Sequence, residues 1–404
     1  MGFSQALSGL NAASSQLDVV GNNIANSQTV GFKGSSVQFA DVYAAKTGLG
    51  TRVSAVLQDF SNGALESSGR NLDLAIAGGG FFRMTQNDQV VYSRNGQLTM
   101  TPDGYLENAQ GARLTGYPAG VGAGGQPQAL QVPAAALEAK ATTGVNASLN
   151  LDANSSSNPA DQTQHASGNF SYNYANSSTV YDSLGNRHNV TMYFAKLEPD
   201  ATANPPIGDN DWQVRTSIDG TLTGGDGQPQ PLTFDSNGQL TGSDTLTYTF
   251  THANGATNPQ GVAFDFGGTT QYGNDFELSS LNQDGYTSGS MVGITIDDAG
   301  NVIGSYSNEE SKVLGTIALA NFRNPEGLKP VGDNAWVETT ASGQALVGLA
   351  GSGMLGSIES GTVETSNVDL TKELVDLIIA QRNFQANSQT IKTQDEVMQG
   401  IVNL

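Results

Sequence analysis

Apolar residues recur every three or four positions at both ends of this chain. The C-terminal pattern contains no proline, and no glycine occurs between Leu370 and Gln399. Its members are Leu370, Leu374, Leu377, Phe384, Ile391, Met398 and Val402. This spacing predicts a long α-helix with one apolar side. Ser366 or Asn367 can cap its start, and Asp369 suits the positive end of the helix dipole.

The first 25 residues carry a matching pattern. Its members are Phe3, Leu7, Leu10, Ala13, Leu17, Val20 and Ile24. Asp18 is the only charged residue before Lys33, and small residues such as Gly9 and Ala12 would let another backbone approach closely. Asn26–Gly31 is expected to end this helix. The near absence of charge favours extensive contacts around it.

Neither helix is expected to be stable alone, because isolated helices of this length are marginal in water. Each apolar side chain contributes about 1.5–3 kcal/mol only when it is covered. The two ends therefore pair as a coiled coil, or they stay frayed until other copies cover them. An ordinary core helix is the plainer alternative for the C-terminal pattern. The predicted assembly interface comprises Leu7, Leu10, Leu17, Val20, Ile24, Leu374, Leu377, Phe384, Ile391 and Met398.

Composition excludes several classes of function. The formal charge of −21 disfavours a nucleic-acid partner, because phosphate binding needs a basic surface. The absence of cysteine excludes disulfides and thiolate metal sites. No apolar run is long enough to insert into a membrane. The start lacks a basic region, so we do not expect a conventional secretory signal.

The middle of the chain predicts mainly antiparallel β-structure. Aspartate- and glycine-containing turns at Pro102–Gly104, Asp182–Asn186, Asp235–Gly238 and Asp297–Asn301 separate short alternating stretches. The apolar positions of these stretches are Leu98 and Met100; Val190, Met192 and Phe194; Leu246, Tyr248 and Phe250; and Ile294 and Ile296. The overall class is thus α+β and multidomain.

We predict four parts of the chain. Residues 1–25 and 368–404 form a helical inner-core domain, and residues 26–71 and 359–367 are connectors. Residues 72–144 and 285–358 form a first β-domain, and residues 145–284 form an inserted outer β-domain.

No catalytic set, cofactor site or metal site is expected. The histidines His165, His188 and His252 lie in separate segments without zinc-ligand spacing. Gly78-Gly79-Gly80 lacks the spacing of a phosphate loop and predicts a sharp bend between strands. Pairs such as Asp297 and Asp298 could serve a glycosidase, but turn aspartates commonly bond their own backbone.

Several motifs resemble those of bacterial flagellar rod and hook proteins. The N-terminal motif is Ala25-Asn26 followed by Thr29-Val30-Gly31-Phe32-Lys33. Further motifs are Arg94-Asn95-Gly96, Asp103-Gly104-Tyr105-Leu106 and Leu114-Thr115-Gly116-Tyr117-Pro118. The C-terminal motifs are Ser366-Asn367-Val368-Asp369-Leu370, Glu373-Leu374-Val375 and Ala380–Asn387. Together they cover roughly the first 120 and last 130 residues, and the long insert is typical of hook rather than distal rod subunits.

The resemblance implies a structural, non-enzymatic subunit of a hollow helical tube that transmits motor torque as a flexible joint. Both ends would form its inner layer, with Gln381, Ser388 and Asp395 facing the bore. The implied partners are other copies, rod proteins, the hook cap, hook–filament junction proteins and the type III export apparatus. A sibling axial subunit such as distal rod protein stays open, as does a secreted carbohydrate-binding β-protein.

Overall fold

The computed structural model of the protein describes residues 2–44, 47–122, 124–158, 171–203, 206–223 and 229–402. Helices α1 (Gly2–Ala25) and α2 (Leu370–Val402) lie at the two ends, and the remainder is mostly β-structure. Within the described ranges, neither helix is long and apolar enough to cross a membrane.

The strands are numbered in chain order. The first group is β1 (Ser35–Ala44), β2 (Thr47–Gln58), β3 (Leu65–Ser67), β4 (Asp73–Ala77), β5 (Phe81–Gln86), β6 (Gln89–Ser93), β7 (Gly96–Gln97), β8 (Thr99–Met100), β9 (Leu106–Glu107), β10 (Arg113–Pro118) and β11 (Gln128–Ala129). The second is β12 (Gly144–Asp152), β13 (Tyr174–Tyr181), β14 (Arg187–Lys196), β15 (Asp211–Ile218), β16 (Thr221–Thr223), β17 (Gln230–Phe234), β18 (Leu240–Thr241), β19 (Thr245–Phe250), β20 (Gln260–Asp265), β21 (Thr270–Tyr272) and β22 (Glu277–Gln283). The third is β23 (Met291–Ile296), β24 (Asn301–Tyr306), β25 (Ser311–Asn321), β26 (Lys329–Gly332), β27 (Ala335–Val337), β28 (Leu346–Leu349), β29 (Ser357–Ser360) and β30 (Thr362–Glu364).

The chain divides into two compact units. One comprises Met1–Ala134, Val292–Ser305 and Ser311–Leu404, and the other comprises Ala135–Met291 and Tyr306–Glu310. The first unit groups the helices, the connectors and most of the first β-domain, which the sequence predicts as separate parts. Residues 135–144, 285–291 and 306–310 of the predicted first β-domain fall in the second unit. The predicted boundaries within that unit stay a prediction.

The segment 26–71 is more ordered than the word connector implies. Strands β1 and β2 form a long antiparallel hairpin, with irregularities of register at Gln38/Phe39 and Val42/Tyr43. The hairpin packs against α1, where the Thr51 amide donates to Oγ of Ser8 over 3.2 Å. Sequence alone could not show this, because the hairpin depends on α1 to cover one of its faces.

The core of the first β-domain is aromatic. A sheet with the central order β10-β5-β6-β27-β26 carries Phe81, Tyr92 and Trp336 into one buried cluster with Phe322. The rings meet edge to face, with Phe81 and Trp336 centroids 5.9 Å apart. Trp336 Nε1 donates to Oε1 of Gln58 over 2.7 Å, which ties the base of the β1–β2 hairpin to this core.

The second unit contains two sheets around one core. One sheet has the order β19-β20-β12-β21, and the other has the order β13-β14-β15-β17-β18. Strand β12 pairs in parallel with β20 and β21, so the domain is not wholly antiparallel. The predicted inward residues are confirmed: Val190, Met192, Phe194, Leu246, Tyr248 and Phe250 are all buried in this core.

The predicted turns also form. Oδ1 of Asp182, Asp235 and Asp297 accepts an amide four residues later in each case. Gly78 and Gly80 have positive φ between β4 and β5, which confirms the bend between strands. In contrast, Met100 is 48% exposed while Leu98 is buried. The prediction for Met100 is wrong because β8 is only two residues long and does not reach the core.

Candidate assembly surface at the chain ends

The two terminal helices lie side by side and antiparallel. Asn23 Nδ2 donates to Oε1 of Glu373 over 3.0 Å near one end of the pair. Farther along, a Cβ atom added at Gly9 would lie only 2.8 Å from the side chain of Asn387. Ala12 and Ala13 are buried in the same part of α1. Small side chains on α1 therefore permit the close approach that the sequence predicts.

One side of α2 is covered by this pairing. Leu377, Phe384 and Ile391 are half-buried and Ala380 is fully buried, at the spacing of three and four that also includes Glu373. Burial raises the pKa of Glu373 above its ordinary value, and the hydrogen bond from Asn23 opposes this effect. Of the predicted interface on α2, Leu374 and Met398 remain exposed, at 44% and 60%.

The predicted interface on α1 is also divided. Val20 is buried, and Leu10, Leu17 and Ile24 are half-buried. Leu7 is 43% exposed, near the free end of the pair. The structure thus brings most of these residues into contact within one chain and leaves Leu7 available to other molecules.

A group of exposed apolar side chains lies on the first half of α2. We call it the α2 apolar patch, and it comprises Leu370, Leu374, Val375, Ile378 and Ile379. Each of these side chains is 44–51% exposed. From Leu374 to Ala380 every residue except Asp376 is apolar, so this part of α2 is apolar almost all around. Such a helix is normally buried on all sides, and α1 covers only one.

Val375, Ile378 and Ile379 do not belong to the interface predicted from the sequence. A repeat of seven counts residues along one side of a helix, and these three lie off that side. The signal that could have found them is the composition of Leu374–Ala380, which is apolar at every position except Asp376.

The start of α2 is capped differently from the prediction. Asp369 Oδ1 accepts the amides of Thr371 and Lys372 over 2.9 and 3.2 Å, which makes Asp369 the cap. The predicted capping by Ser366 or Asn367 is wrong. Asn367 instead accepts the Gly34 amide over 2.8 Å and so joins the two ends of the chain.

Three buried charged residues lie near the C-terminal end of α1 and the N-terminal end of α2. We call Lys33, Arg94 and Glu364 the buried charge cluster; their side chains are 0%, 2% and 1% exposed. Glu364 Oε1 lies 2.8 Å from Lys33 Nζ, and Glu364 Oε2 lies 2.9 Å from Arg94 Nε. Lys33 and Arg94 belong to two of the motifs noted in the sequence. Glu364 was missed, because a single carboxylate near a strand carries no pattern of its own.

Gly31 explains another part of the N-terminal motif. Its φ is +71°, and an added Cβ would lie 2.6 Å from the backbone nitrogen of Asn95. Its amide donates to the carbonyl oxygen of Glu364 over 2.8 Å. Glycine is therefore required by both conformation and space.

The polar residues on the α2 stripe are accessible. Gln381 and Asp395 are exposed and Ser388 is half-buried. Their predicted place along a bore stays a prediction.

The second unit, which we also call the inserted unit, contains a separate polar cluster around His188. His188 Nδ1 lies 2.7 Å from Asp219 Oδ2, and His188 Nε2 lies 3.3 Å from Asp182 Oδ2. Burial acts to lower the pKa of His188, but the two carboxylates outweigh it and raise that pKa. Across the described ranges no group of three or more potential ligands is placed to hold a metal ion. His165 lies outside the described residues.

Family models match four stretches of the chain. They are the flagella basal body rod protein over residues 4–33, the flagellar hook protein FlgE/F/G D1 domain over 75–148, the flagellar basal body protein FlaE D2 domain over 150–286 and the flagellar basal body rod FlgEFG protein C-terminal over 359–404. With paired terminal helices and β-domains between them, the chain is an axial protein of the bacterial flagellum.

Relatives of full length narrow this class. The flagellar hook protein FlgE of Salmonella typhimurium is 44% identical, with 100% of both chains covered. FlgE of Escherichia coli is 43% identical over 100% of both, and FlgE of Borreliella burgdorferi is 32% identical over 98% of both. The chain belongs to the FlgE family of flagellar hook proteins. Its function is that of a structural subunit of the hook, within the flagellum.

A solved structure agrees with this fold. The Helicobacter pylori flagellar hook protein FlgE2 aligns with a TM-score of 0.55 at 14% identity, covering 74% of this chain and 100% of that one.

Proposed function

We propose that the chain assembles with copies of itself into a flexible hollow tube that carries motor torque from the rod to the filament. Its terminal helices form a coiled-coil-like inner layer, and the β-domains lie outside. The observation that carries this proposal is the α2 apolar patch. Membership of the hook family supports the identity of the assembly.

The patch needs a partner that the single chain does not supply among its described residues. Complete burial of a fully exposed apolar side chain contributes about 1.5–3 kcal/mol, and each of these half-exposed side chains would contribute about half of that. A second copy is the partner of matching chemistry, because Leu7 and Phe3 of α1 are also exposed, at 43% and 52%. Apolar surface on both helices can then meet around the inner layer.

The remaining surface of α2 has a different character. The second half of α2 is polar on the side of the helix where Ile378 lies in the first half. The side chains there are Gln385, Gln389 and Lys392, all of which are exposed. Polar side chains facing water are consistent with a bore lined by part of α2, including Gln381, Ser388 and Asp395. The apolar contacts would therefore concentrate near the root of the helix.

The test is a charge placed in the patch. Ile378→Asp would bury an unpaired carboxylate between copies and abolish polymerisation while leaving the β-domains folded. Gln389→Asp is the matched control, since it adds the same charge to the same side of α2 in the polar half. Sedimentation and negative-stain images of concentrated protein would read both. Normal tubes from Ile378→Asp would refute the proposal.

The outer layer would provide flexibility. The net charge of −21 makes neighbouring outer domains repel over about a Debye length, ~8 Å at physiological salt. Contacts between them would stay weak and exchangeable, so that each strand of subunits can shorten and lengthen as a bent tube rotates.

The expected partners follow from this role. They are rod proteins, the hook cap, hook–filament junction proteins and the type III export apparatus, which would carry the unfolded chain out of the cell. No enzymatic activity, cofactor, nucleic-acid binding or membrane insertion forms part of the proposal.

A further inference from the structure

The buried charge cluster unites parts of the chain that are distant in sequence. Lys33 follows α1, Glu364 ends β30 shortly before α2, and Arg94 lies between β6 and β7 of the first β-domain. Glu364 is 331 positions from Lys33 and 270 from Arg94. The cluster is therefore the place where both helices connect to the β-domain.

Glu364 is the centre of the cluster. Its Oε1 accepts from Lys33 Nζ over 2.8 Å and from the Gly63 amide over 2.8 Å, while Oε2 faces Arg94 Nε over 2.9 Å. The Arg94 guanidinium also donates to the carbonyl oxygens of Gly80 and Gly78 over 2.7 and 2.9 Å. One carboxylate thus orients two cations, and one of these, Arg94, holds the loop before β5.

The backbone beside the cluster is equally restrained. The Gly31 amide donates to the carbonyl oxygen of Glu364, and the Gly34 amide donates to Asn367 Oδ1, each over 2.8 Å. Asn367 Nδ2 donates in turn to the carbonyl oxygen of Asp59 over 2.8 Å. The segment leaving α1 and the segment entering α2 consequently run side by side.

Stability alone does not explain buried charges here. Apolar side chains of similar volume are often as good as a buried ion pair, whereas hydrogen-bonded charges impose direction. We propose that the buried charge cluster rigidly fixes the direction of both helices relative to the first β-domain, and that torque passes between the inner and outer layers through it. The proposed transfer of torque through the cluster rests on the proposed function, whereas the fixed direction of the helices does not.

Glu364 is the positioning residue, and hydrogen exchange of the full soluble chain tests it. In Glu364→Gln, the amides of Gly31 and Gly63 should exchange at least about tenfold faster, because local opening no longer breaks charged bonds. Met84 in β5 and Val91 in β6 should keep their exchange rates. Glu359→Gln is the matched control, since Glu359 is exposed on the neighbouring strand β29.

Two results would overturn the inference. Unchanged exchange at Gly31 and Gly63 would show that the cluster restrains nothing. An equal acceleration at Met84 and Val91 would show that it serves general stability. Should Glu364→Gln fail to fold, Lys33→Met is the second variant, since it removes one charge and keeps the aliphatic part of the side chain. Faster exchange of the Gly63 amide with unchanged exchange of the β5 and β6 amides would again support the inference. Equal acceleration at all of these amides would refute it.

Assembled tubes test separately whether torque passes through the cluster. Glu364→Gln should still form tubes, because the α2 apolar patch is intact, but the tubes should twist more for a given applied torque. Equal torsional stiffness in variant and wild-type tubes would overturn this part of the inference. Failure of the wild-type chain to form tubes would refute the proposed function and leave the exchange result on the soluble chain standing.

Discussion

Asn23 and Glu373 are 350 positions apart in sequence and share a hydrogen bond of 3.0 Å between Nδ2 and Oε1. Asn23 also donates to the carbonyl oxygen of Ser35 over 2.8 Å and accepts the Ser35 amide over 2.9 Å. A single buried amide side chain therefore joins α1, α2 and the β1–β2 hairpin. Its position near the roots of the helices makes it a direct probe of their pairing.

Asn23→Ala should lower the free energy of unfolding by about 1–3 kcal/mol, because it leaves buried polar groups without partners. Urea unfolding followed by helical circular dichroism would measure this. Asn22→Ala is the control, since Asn22 is exposed one position away. Equal effects of the two substitutions would contradict the bridging role of Asn23.

Gly31→Ala should destabilise the first β-domain more than Gly120→Ala does. Both glycines have positive φ, +71° and +80°, but an added Cβ meets Asn95 only at Gly31. The left-handed conformation alone costs about 1–2 kcal/mol for alanine, and Gly31→Ala adds the steric contact. Thermal unfolding of both variants would separate the two contributions; a smaller loss for Gly31→Ala would contradict the prediction.

Leu10→Asp and Leu377→Asp should each abolish polymerisation while sparing the β-domains, because each places a charge on the covered sides of the paired helices. They should also weaken pairing within the soluble chain, which Ile378→Asp should not. Circular dichroism of the soluble variants distinguishes these effects. Normal tubes from either variant would show that the stripe is not part of the interface.

The terminal helices should order fully only on assembly. Brief proteolysis of isolated subunits should trim both ends and leave a β-rich core, whereas tubes should resist cleavage there. Equal resistance along the whole soluble chain would contradict this.

Deleting residues 145–284 should stiffen the tubes, because it removes the outer contacts proposed to slide. Unchanged flexibility would mean that the insert is not the source of bending.

The inserted unit should lose stability as pH rises. His188 has a raised pKa, so its contribution is complete below its ordinary value of 6.5 and is lost as pH passes the raised value. Asp182 and Asp219 have lowered pKa values: burial acts to raise them, and hydrogen bonds, including those from His188, outweigh it. Their contribution is present above 3.8 and is lost on acidification.

The measurement is urea unfolding at about pH 6 and about pH 9 in a chain carrying Trp336→Phe, so that the fluorescence comes from Trp212 alone. The midpoint should be lower at the alkaline pH, and adding His188→Gln should remove most of the difference. An unchanged midpoint in the chain that keeps His188 would contradict the assignment of His188 as the titrating group.

The sequence by itself determined the periodic features. Repeats of three and four predicted α1 and α2, alternation predicted the inward faces of β14 and β19, and aspartate–glycine pairs predicted the turns. Each of these features depends on a residue and its near neighbours in sequence, because backbone geometry and side-chain chemistry act directly over such short distances.

The tertiary structure decided which surfaces are covered and which charges meet. Glu364 has no local pattern, and only the pairing of β3 with β30 carries it to Lys33 and Arg94. Likewise, Ile378 belongs to an apolar run that could be core or surface until the position of α1 is known. Burial and ion pairing are properties of residues brought together from distant parts of the chain, and no short stretch of sequence contains them.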